Sequence, residues 1–228
     1  MARTPTRLQL EALVPQMVDS RLPILSIIKN LRLGTRVQTL ARKRLYTEAS
    51  AETIYGGLVQ RETLVYNGHS IPIEFSDVKA LMLHLSLECP GFGPFLKKYA
   101  QRDTVDGRHA LRTIIYMDGV TPGNQTRPDC ARTYEAIDWS VMEFPEWFRR
   151  DSRLWFTFAY VSKADLHTAN CPNSVLLCFI LRQLYIRSEV HVLGFHFYCG
   201  GNKEKALLRH GFYLGDDLSV FEYCSSKG

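Results

Sequence analysis

The sequence predicts a mixed α/β or α+β fold, in which helices flank a sheet. Three features lead to this prediction. An Asn-Gly dipeptide at residues 67–68 separates two apolar runs, strand-like segments follow at residues 111–120, 133–144 and 154–162, and residues 173–187 form an apolar segment of helical length. With 228 residues, 46% of them hydrophobic, the chain can bury a sizeable core in one or two domains.

The first part of the chain is basic. Residues 1–60 contain nine Lys or Arg and four Asp or Glu, whereas residues 61–228 contain nineteen of each. Short amphipathic helices are predicted at residues 7–20 and 36–49. Such an asymmetry of charge suits a phosphate backbone or an acidic partner, and a solvated helix face would give the same pattern.

A hairpin and two helices are predicted next. Residues 58–66 and 71–75 are joined by the Asn-Gly turn, which favours the positive φ angles of a type I′ hairpin. Ser76 or Asp77 is predicted to cap a helix that ends near residue 87, and a second helix is expected at residues 92–100. A polar segment at residues 102–108 then separates a first region, 1–107, from a second, 108–228.

The second region is predicted to hold most of the sheet. After the three strand-like segments, a helix is expected to begin at Asn173 or Ser174. The order that results is strand, strand, strand, helix, strand. The last elements are an apolar stretch at 190–199, a turn at 200–202, a short segment at 203–210 and a strand at 212–214.

Composition and motifs exclude several classes of protein. The N-terminus lacks the apolar core of a secretory signal, and the longest apolar run, residues 175–181, is too short to cross a bilayer. The six cysteines form no C-x-x-C pair, which argues against a zinc ribbon. His191 and His196 would lie on opposite faces of a strand, so a shared metal is not expected. We therefore expect an intracellular protein without a membrane partner.

Asp118 is the residue most suggestive of chemistry. It lies at the end of an apolar run and begins a Gly-containing turn, and Asp216 and Asp217 follow a second apolar stretch near the end of the chain. Two Mg²⁺ ions about 3.5 to 4 Å apart require carboxylates that converge from separate strands. Asp at the end of a strand is also a common turn former, and adjacent Asp residues also cap helices.

These residues lie in segments that resemble a known family. Residues 115–124, 134–139 and 142–144 resemble eukaryotic mobile-element proteins related to the Kyakuja-Dileera-Zisupton transposases. In that family a strand ends in Asp-Glu, is followed by Thr-Pro-Gly-Asn, and leads to a second strand of the form Tyr-x-Ser-x-x-Glu-Phe. The closing residues 215–217 and 226–228 are similar to the family's later Asp-containing strand end and Lys-Gly step.

The resemblance implies a ribonuclease H-like mixed sheet and, in intact members, metal-dependent cleavage and transfer of DNA strands. It assigns Asp118 as the first metal ligand and Asp216 or Asp217 as the second. Gly119 stands where the family usually has Glu, and the chain ends at Gly228 before a third acidic ligand. The sequence therefore also fits a truncated, inactive copy whose ribonuclease H-like domain is incomplete.

The leading hypothesis is a transposase-derived protein that binds DNA in the nucleus, with Mg²⁺ as its cofactor. The alternative is a non-catalytic relic that binds nucleic acid or protein. A further hypothesis is a Gcn5-related N-acetyltransferase, because residues 206–212 look like a helix that leads into Gly-Phe, although the Gly-rich pyrophosphate loop is missing. No small-molecule cofactor or oligomeric state is indicated. The predicted phosphate contacts are Arg36, Arg42, Lys43 and Arg44.

Overall fold

A computed structural model of the protein describes residues 52–89, 91–102, 104–105, 107–120, 133–151 and 154–215. The predicted mixed α/β architecture is confirmed, since helices flank a large mixed sheet. The strands are β1 (Glu52–Thr53), β2 (Gly56–Gly57), β3 (Val59–Tyr66), β4 (His69–Ser76), β5 (Thr104–Val105), β6 (Arg108–Val120), β7 (Tyr134–Val141), β8 (Phe156–Ser162), β9 (Phe195–Cys199) and β10 (Asn202–Gly215). The helices are α1 (Val78–Glu88), α2 (Phe92–Ala100), α3 (Glu146–Arg150), α4 (Lys163–Thr168) and α5 (Asn173–Leu181), and α5 continues as a π-helical segment (Arg182–Arg187).

Eight of the described strands form one sheet. Seven of them follow the order β3-β4-β8-β7-β6-β10-β9, and β5 pairs with β6 beside this path. Strands β6 and β10 run parallel, whereas all other neighbours in the sheet are antiparallel. A parallel pair needs a long connection, and here β7, β8, the helices α3 to α5 and β9 lie between the two strands in the chain.

The predicted hairpin is confirmed as β3 and β4. Asn67 and Gly68 have φ angles of +48° and +76°, and the left-handed conformation at both positions is that of a type I′ turn. The hairpin extends the main sheet because Phe75 of β4 pairs with Ala159 of β8. Residues before the predicted boundary at 107 therefore belong to the same sheet as residues after it.

Both predicted helices after the hairpin are confirmed. Helix α1 begins after Asp77, whose side chain accepts a hydrogen bond of 2.8 Å from the backbone N–H of Ala80. This bond satisfies one of the amide groups that a helix leaves without a partner at its N-terminus. Helix α2 occupies the predicted residues, Phe92–Ala100.

The region after β8 differs in detail from the prediction. Residues 203–210 and 212–214, predicted as separate elements, lie in the single strand β10, and only Phe195–Cys199 of the predicted stretch 190–199 is a strand. The short helices α3 and α4 were not predicted, because five or six residues give too little periodicity to detect. Among the described helices, none has the length and apolar character needed to cross a membrane.

Large aromatic side chains fill the core between the sheet and helices α2 and α3. Phe95 lies 4.8 Å from Phe144 and 5.2 Å from Phe148 between ring centroids, and Trp139 lies 4.8 Å from Phe156. All five side chains are buried. Burial of each such ring stabilises the fold by about 1.5 to 3 kcal/mol, so this cluster fixes the sheet against the helices.

The side chains of strand β6 show which residues lie on each face of the sheet. Its odd-numbered residues Leu111, Ile115 and Met117 are buried in the core cluster. Since side chains alternate along a strand, the even-numbered residues lie on the opposite face, which we call the Asp118 face. On β6 this face carries Arg108, Ala110, Arg112, Ile114, Tyr116 and Asp118.

Candidate functional site

Asp118 lies within β6 and not in the turn that follows it. Its backbone pairs with Ala136 of β7, and β6 continues to Val120. The carboxylate is half-buried and accepts a hydrogen bond of 2.9 Å from the Tyr116 hydroxyl to Oδ2. Pairing with β7 holds this carboxylate on a rigid element, which is a suitable placement for a metal ligand.

A second carboxylate, which the sequence did not reveal, lies beside Asp118. Asp138 of β7 pairs with Tyr116 of β6, so Asp138 and Asp118 are diagonal neighbours on the same face. Diagonal positions on adjacent antiparallel strands are about 7 to 8 Å apart. The Thr157 hydroxyl donates a hydrogen bond of 2.6 Å to Oδ1 of Asp138 and orients this side chain. Only the register between β6 and β7 brings the two residues together.

Asp216 and Asp217, the other predicted ligands, lie outside the described residues. They follow β10, and the last described pair of the parallel ladder joins Gly215 of β10 to Met117 of β6. Asp216 and Asp118 are the next residues in the sequence after this pair. The register reaches this point through an irregularity at Gly211, which adds one residue to β10 between the pairs made by His210 and Phe212.

The opposite face of the sheet carries an ion pair at the same level. Lys163, the first residue of α4, contacts the buried Glu135 carboxylate at 2.8 Å. Glu135 pairs with Gly119 across the strands. A Cβ atom at Gly119 would lie 2.6 Å from Nζ of Lys163. The lysine ammonium therefore lies where the side chain of residue 119 would begin, and a Glu at this position would have to displace it.

An aromatic pair lies beside the carboxylates. The rings of Tyr116 and Trp155 meet edge to face, with their centroids 6.2 Å apart. The indole N–H of Trp155 donates a hydrogen bond of 2.8 Å to the Arg149 carbonyl oxygen. Because Tyr116 also donates to Asp118, these contacts restrict movement of the ring whose hydroxyl orients the carboxylate.

Glu143, part of the family-like segment, has a structural contact. Its two carboxylate oxygens accept hydrogen bonds from the backbone N–H and the Nε–H of Arg112, at 2.8 Å and 2.7 Å. The Glu143 side chain is 5% exposed, so this pair ties the chain after β7 to the middle of β6. Phe144 beside it belongs to the aromatic core. These two residues support the strands that carry the carboxylates.

The two histidines considered for metal binding have separate partners. Nδ1 of His191 contacts the Tyr185 carbonyl oxygen, whereas Nδ1 of His196 contacts the Tyr55 hydroxyl. Burial lowers the pKa of His196, and the nearby Lys203 and Lys205 lower it further. Within the described part of the chain, no group of three or more His, Cys, Asp or Glu side chains could hold a metal ion.

Some of the remaining predicted residues lie outside the part of the chain that the structure describes. This applies to all four predicted phosphate contacts, Arg36, Arg42, Lys43 and Arg44. The N-acetyltransferase interpretation expected a helix before Gly211-Phe212, and this segment is strand instead. The helix that this interpretation expected at residues 206–210 is therefore wrong, because these residues belong to β10.

Chemically, the site presents oxygen ligands on a rigid sheet. Carboxylates of this kind suit hard cations such as Mg²⁺, and Oδ1 of Asp118 has no hydrogen-bond partner among the described residues. Two carboxylates are fewer than a complete magnesium site needs, so the fit depends on Asp216 or Asp217 as well. Comparisons with protein families, with curated proteins and with solved structures find no match to this chain.

Proposed function

We propose that the protein is a transposase-derived, ribonuclease H-like protein that acts on DNA in the nucleus. Its active site would consist of Asp118, Asp138 and either Asp216 or Asp217. Strands β6, β7 and β8 are antiparallel neighbours, and β10, which follows the helices and β9, is parallel and adjacent to β6. This arrangement supports a ribonuclease H-like interpretation.

The observation that carries the proposal is the register of the parallel pair. Gly215 is paired with Met117, and the next residue of each segment is an aspartate. If the ladder extends by one pair, Asp216 and Asp118 become direct neighbours. Neighbouring residues of paired strands have Cβ atoms about 4.5 to 5.5 Å apart, a separation at which two carboxylates can share a cation.

In this site the carboxylates would bind and orient Mg²⁺, which would stabilise the attacking and leaving oxygens of a phosphodiester. Asp138 would supply a ligand position beyond the pair that the sequence indicates. Tyr116 and Thr157 would hold the carboxylates in place through their hydroxyl groups.

The test is Mg²⁺-dependent nicking of supercoiled DNA by the full chain. Asp118→Asn should lower the nicking rate at least about 100-fold, because it removes one ligand charge while preserving shape. Asp138→Asn tests the added ligand in the same assay. Asp165→Asn, on the exposed surface of α4, is the matched control and should retain the rate. Nicking that survives Asp118→Ala would refute the proposal.

A second candidate function is DNA binding without cleavage. The position of the Lys163 ammonium, 2.6 Å from where a Cβ atom of residue 119 would lie, favours it, because the family that the sequence resembles carries a glutamate at this position. Under this alternative, DNA affinity falls steeply with salt and no preparation nicks DNA with Mg²⁺ or Mn²⁺.

A further inference from the structure

Basic side chains lie on the Asp118 face at the start of β6. Arg108 and Arg112 belong to this face on β6, and Arg209 of β10 pairs with Arg112. Leu207 pairs with Ala110, so Lys205, two residues earlier in β10, is on the same face as Arg108. Four cationic side chains therefore share half of this face. Arg112 also forms the ion pair with Glu143.

A cavity of about 520 Å³ opens beside Arg108 and Lys205. None of the described residues that line it is acidic. The Arg108 guanidinium is held against the loop before β9 by a hydrogen bond of 3.3 Å from Nη1 to the Val192 carbonyl oxygen. A preorganised guanidinium with a lysine beside it is suited to the oxygens of a phosphate. The cavity is lined by Gly107, Arg108, His109, Val192, Leu193, Lys205, Ala206 and Leu207.

The other half of the Asp118 face is aromatic and apolar. Phe212 and Leu214 of β10 pair with Ile114 and Tyr116, which places them on this face after the irregularity at Gly211. Phe212, Leu214 and Tyr116 are 38%, 41% and 37% exposed. Surfaces that bind single-stranded nucleic acid combine exposed aromatic rings with a row of cations. The bases stack on the rings, and the phosphates pair with the cations.

We propose that this face binds a single nucleic-acid strand that runs from the basic cavity, across Phe212 and Tyr116, to Asp118. The inference deepens the proposed function and rests on it for the role of Asp118. Arg108 and Asp118 are ten residues apart on one strand, about 33 Å at roughly 3.3 Å per residue. This length suits the ~4 to 16 nucleotides that comparable single-strand sites contact.

The first test measures fluorescence anisotropy of a labelled single-stranded DNA, about 20 nucleotides long. The full chain is titrated in EDTA at several salt concentrations. The double variant Arg108→Gln, Lys205→Gln should bind more weakly, and its log–log salt slope should fall by about 1.4, or about 0.7 for each lost phosphate contact. The matched control is Arg61→Gln, Arg150→Gln, which removes the same charge from β3 and α3. Equal slopes in the two double variants would overturn the proposal.

The second test addresses the aromatic half of the face. Phe212→Ala should weaken binding of the single strand about fivefold or more, and Phe212→Trp should retain it, because stacking needs only an aromatic ring. A duplex of the same sequence should be unaffected by either change. If Phe212→Ala leaves single-strand affinity unchanged, or weakens duplex binding equally, bases do not stack here and the proposal is wrong.

The two proposals can fail separately. Loss of binding in the Arg108 and Lys205 variant, with no nicking by any preparation, supports the strand-binding face and contradicts the cleavage function. Nicking that requires Asp118 but is accompanied by unchanged binding in every variant contradicts the strand-binding face alone. Circular dichroism of each variant should match the parent, so that a folding defect is recognised as such.

Discussion

Gly211 of β10 lies directly against Thr113 of β6: a Cβ atom at position 211 would be 2.5 Å from the Thr113 carbonyl oxygen. The sulfur of Met142 would be equally close to that atom. The absence of a side chain therefore lets the two parallel strands approach where β10 gains its extra residue. This one residue determines which side chains of the last part of β10 lie on the Asp118 face.

We expect Gly211→Ala to destabilise the protein by about 2 to 3 kcal/mol, because a backbone carbonyl cannot move aside as a flexible side chain can. Urea unfolding measures this effect. The control is Gly57→Ala, since the nearest atom to a Cβ there is 3.6 Å away. An alanine at 211 that costs no more than one at 57 would show that the strands can separate at this point.

Asp77 caps helix α1, and burial raises the pKa of its carboxyl group. Asp77→Ala should cost about 1 kcal/mol because the cap is lost, whereas Asp77→Asn should retain the cap. The Asp77 carboxyl group has a higher pKa in the folded protein than in the unfolded chain. It therefore stabilises the fold at a pH below its pKa in the unfolded chain, and this stabilisation is lost as the pH rises through its pKa in the folded protein. Asp77→Asn should therefore gain stability relative to the parent as the pH rises above 3.8, the ordinary pKa of the carboxyl group, as followed by urea unfolding. A constant difference across this range would contradict the expected titration.

Burial also raises the pKa of Tyr185 to about 12, against a smaller opposite effect of its hydrogen bond with Thr113. The folded state then keeps a proton that the unfolded chain releases near pH 10, so stability is lost as the pH rises from 10 towards 12. Tyr185→Phe should remove the part of the tyrosinate absorbance that appears at the highest pH. It should also reduce the loss of stability between pH 10 and 12. It should cost about 1 kcal/mol at neutral pH. A parent protein with no tyrosine that titrates above pH 11 would contradict the assignment.

Two Lys–Glu ion pairs differ in the burial of the carboxylate. The Glu135 side chain, paired with Lys163, is 6% exposed, and the Glu204 side chain, paired with Lys97, is 30% exposed. Lys163→Met should cost about 1 to 2 kcal/mol, because a buried carboxylate loses its cation, whereas Lys97→Met should cost under about 1 kcal/mol. Thermal or urea unfolding of both variants compares them. Equal costs would mean that Glu135 has other sufficient partners.

Much of the fold could be predicted because the signals are local. The hairpin follows from the positive φ angles that Asn67-Gly68 favours, and helix α1 follows from its cap at Asp77 and its apolar stripe. Strand β10 could not be delimited, since a run of Lys, Glu and Ala before Gly211 resembles a helix and only pairing with β6 and β9 makes it a strand.

The sequence by itself determined that an apolar strand carries Asp118, although not that the strand continues past it, that a hairpin and two helices precede it, and that the N-terminal residues hold the excess charge. Only the tertiary structure decided that Asp138 is beside Asp118, that Lys163 lies over Gly119, and that Gly215 faces Met117. Turns and helix caps depend on neighbours in the chain, whereas strand register depends on contacts between residues that are distant in sequence.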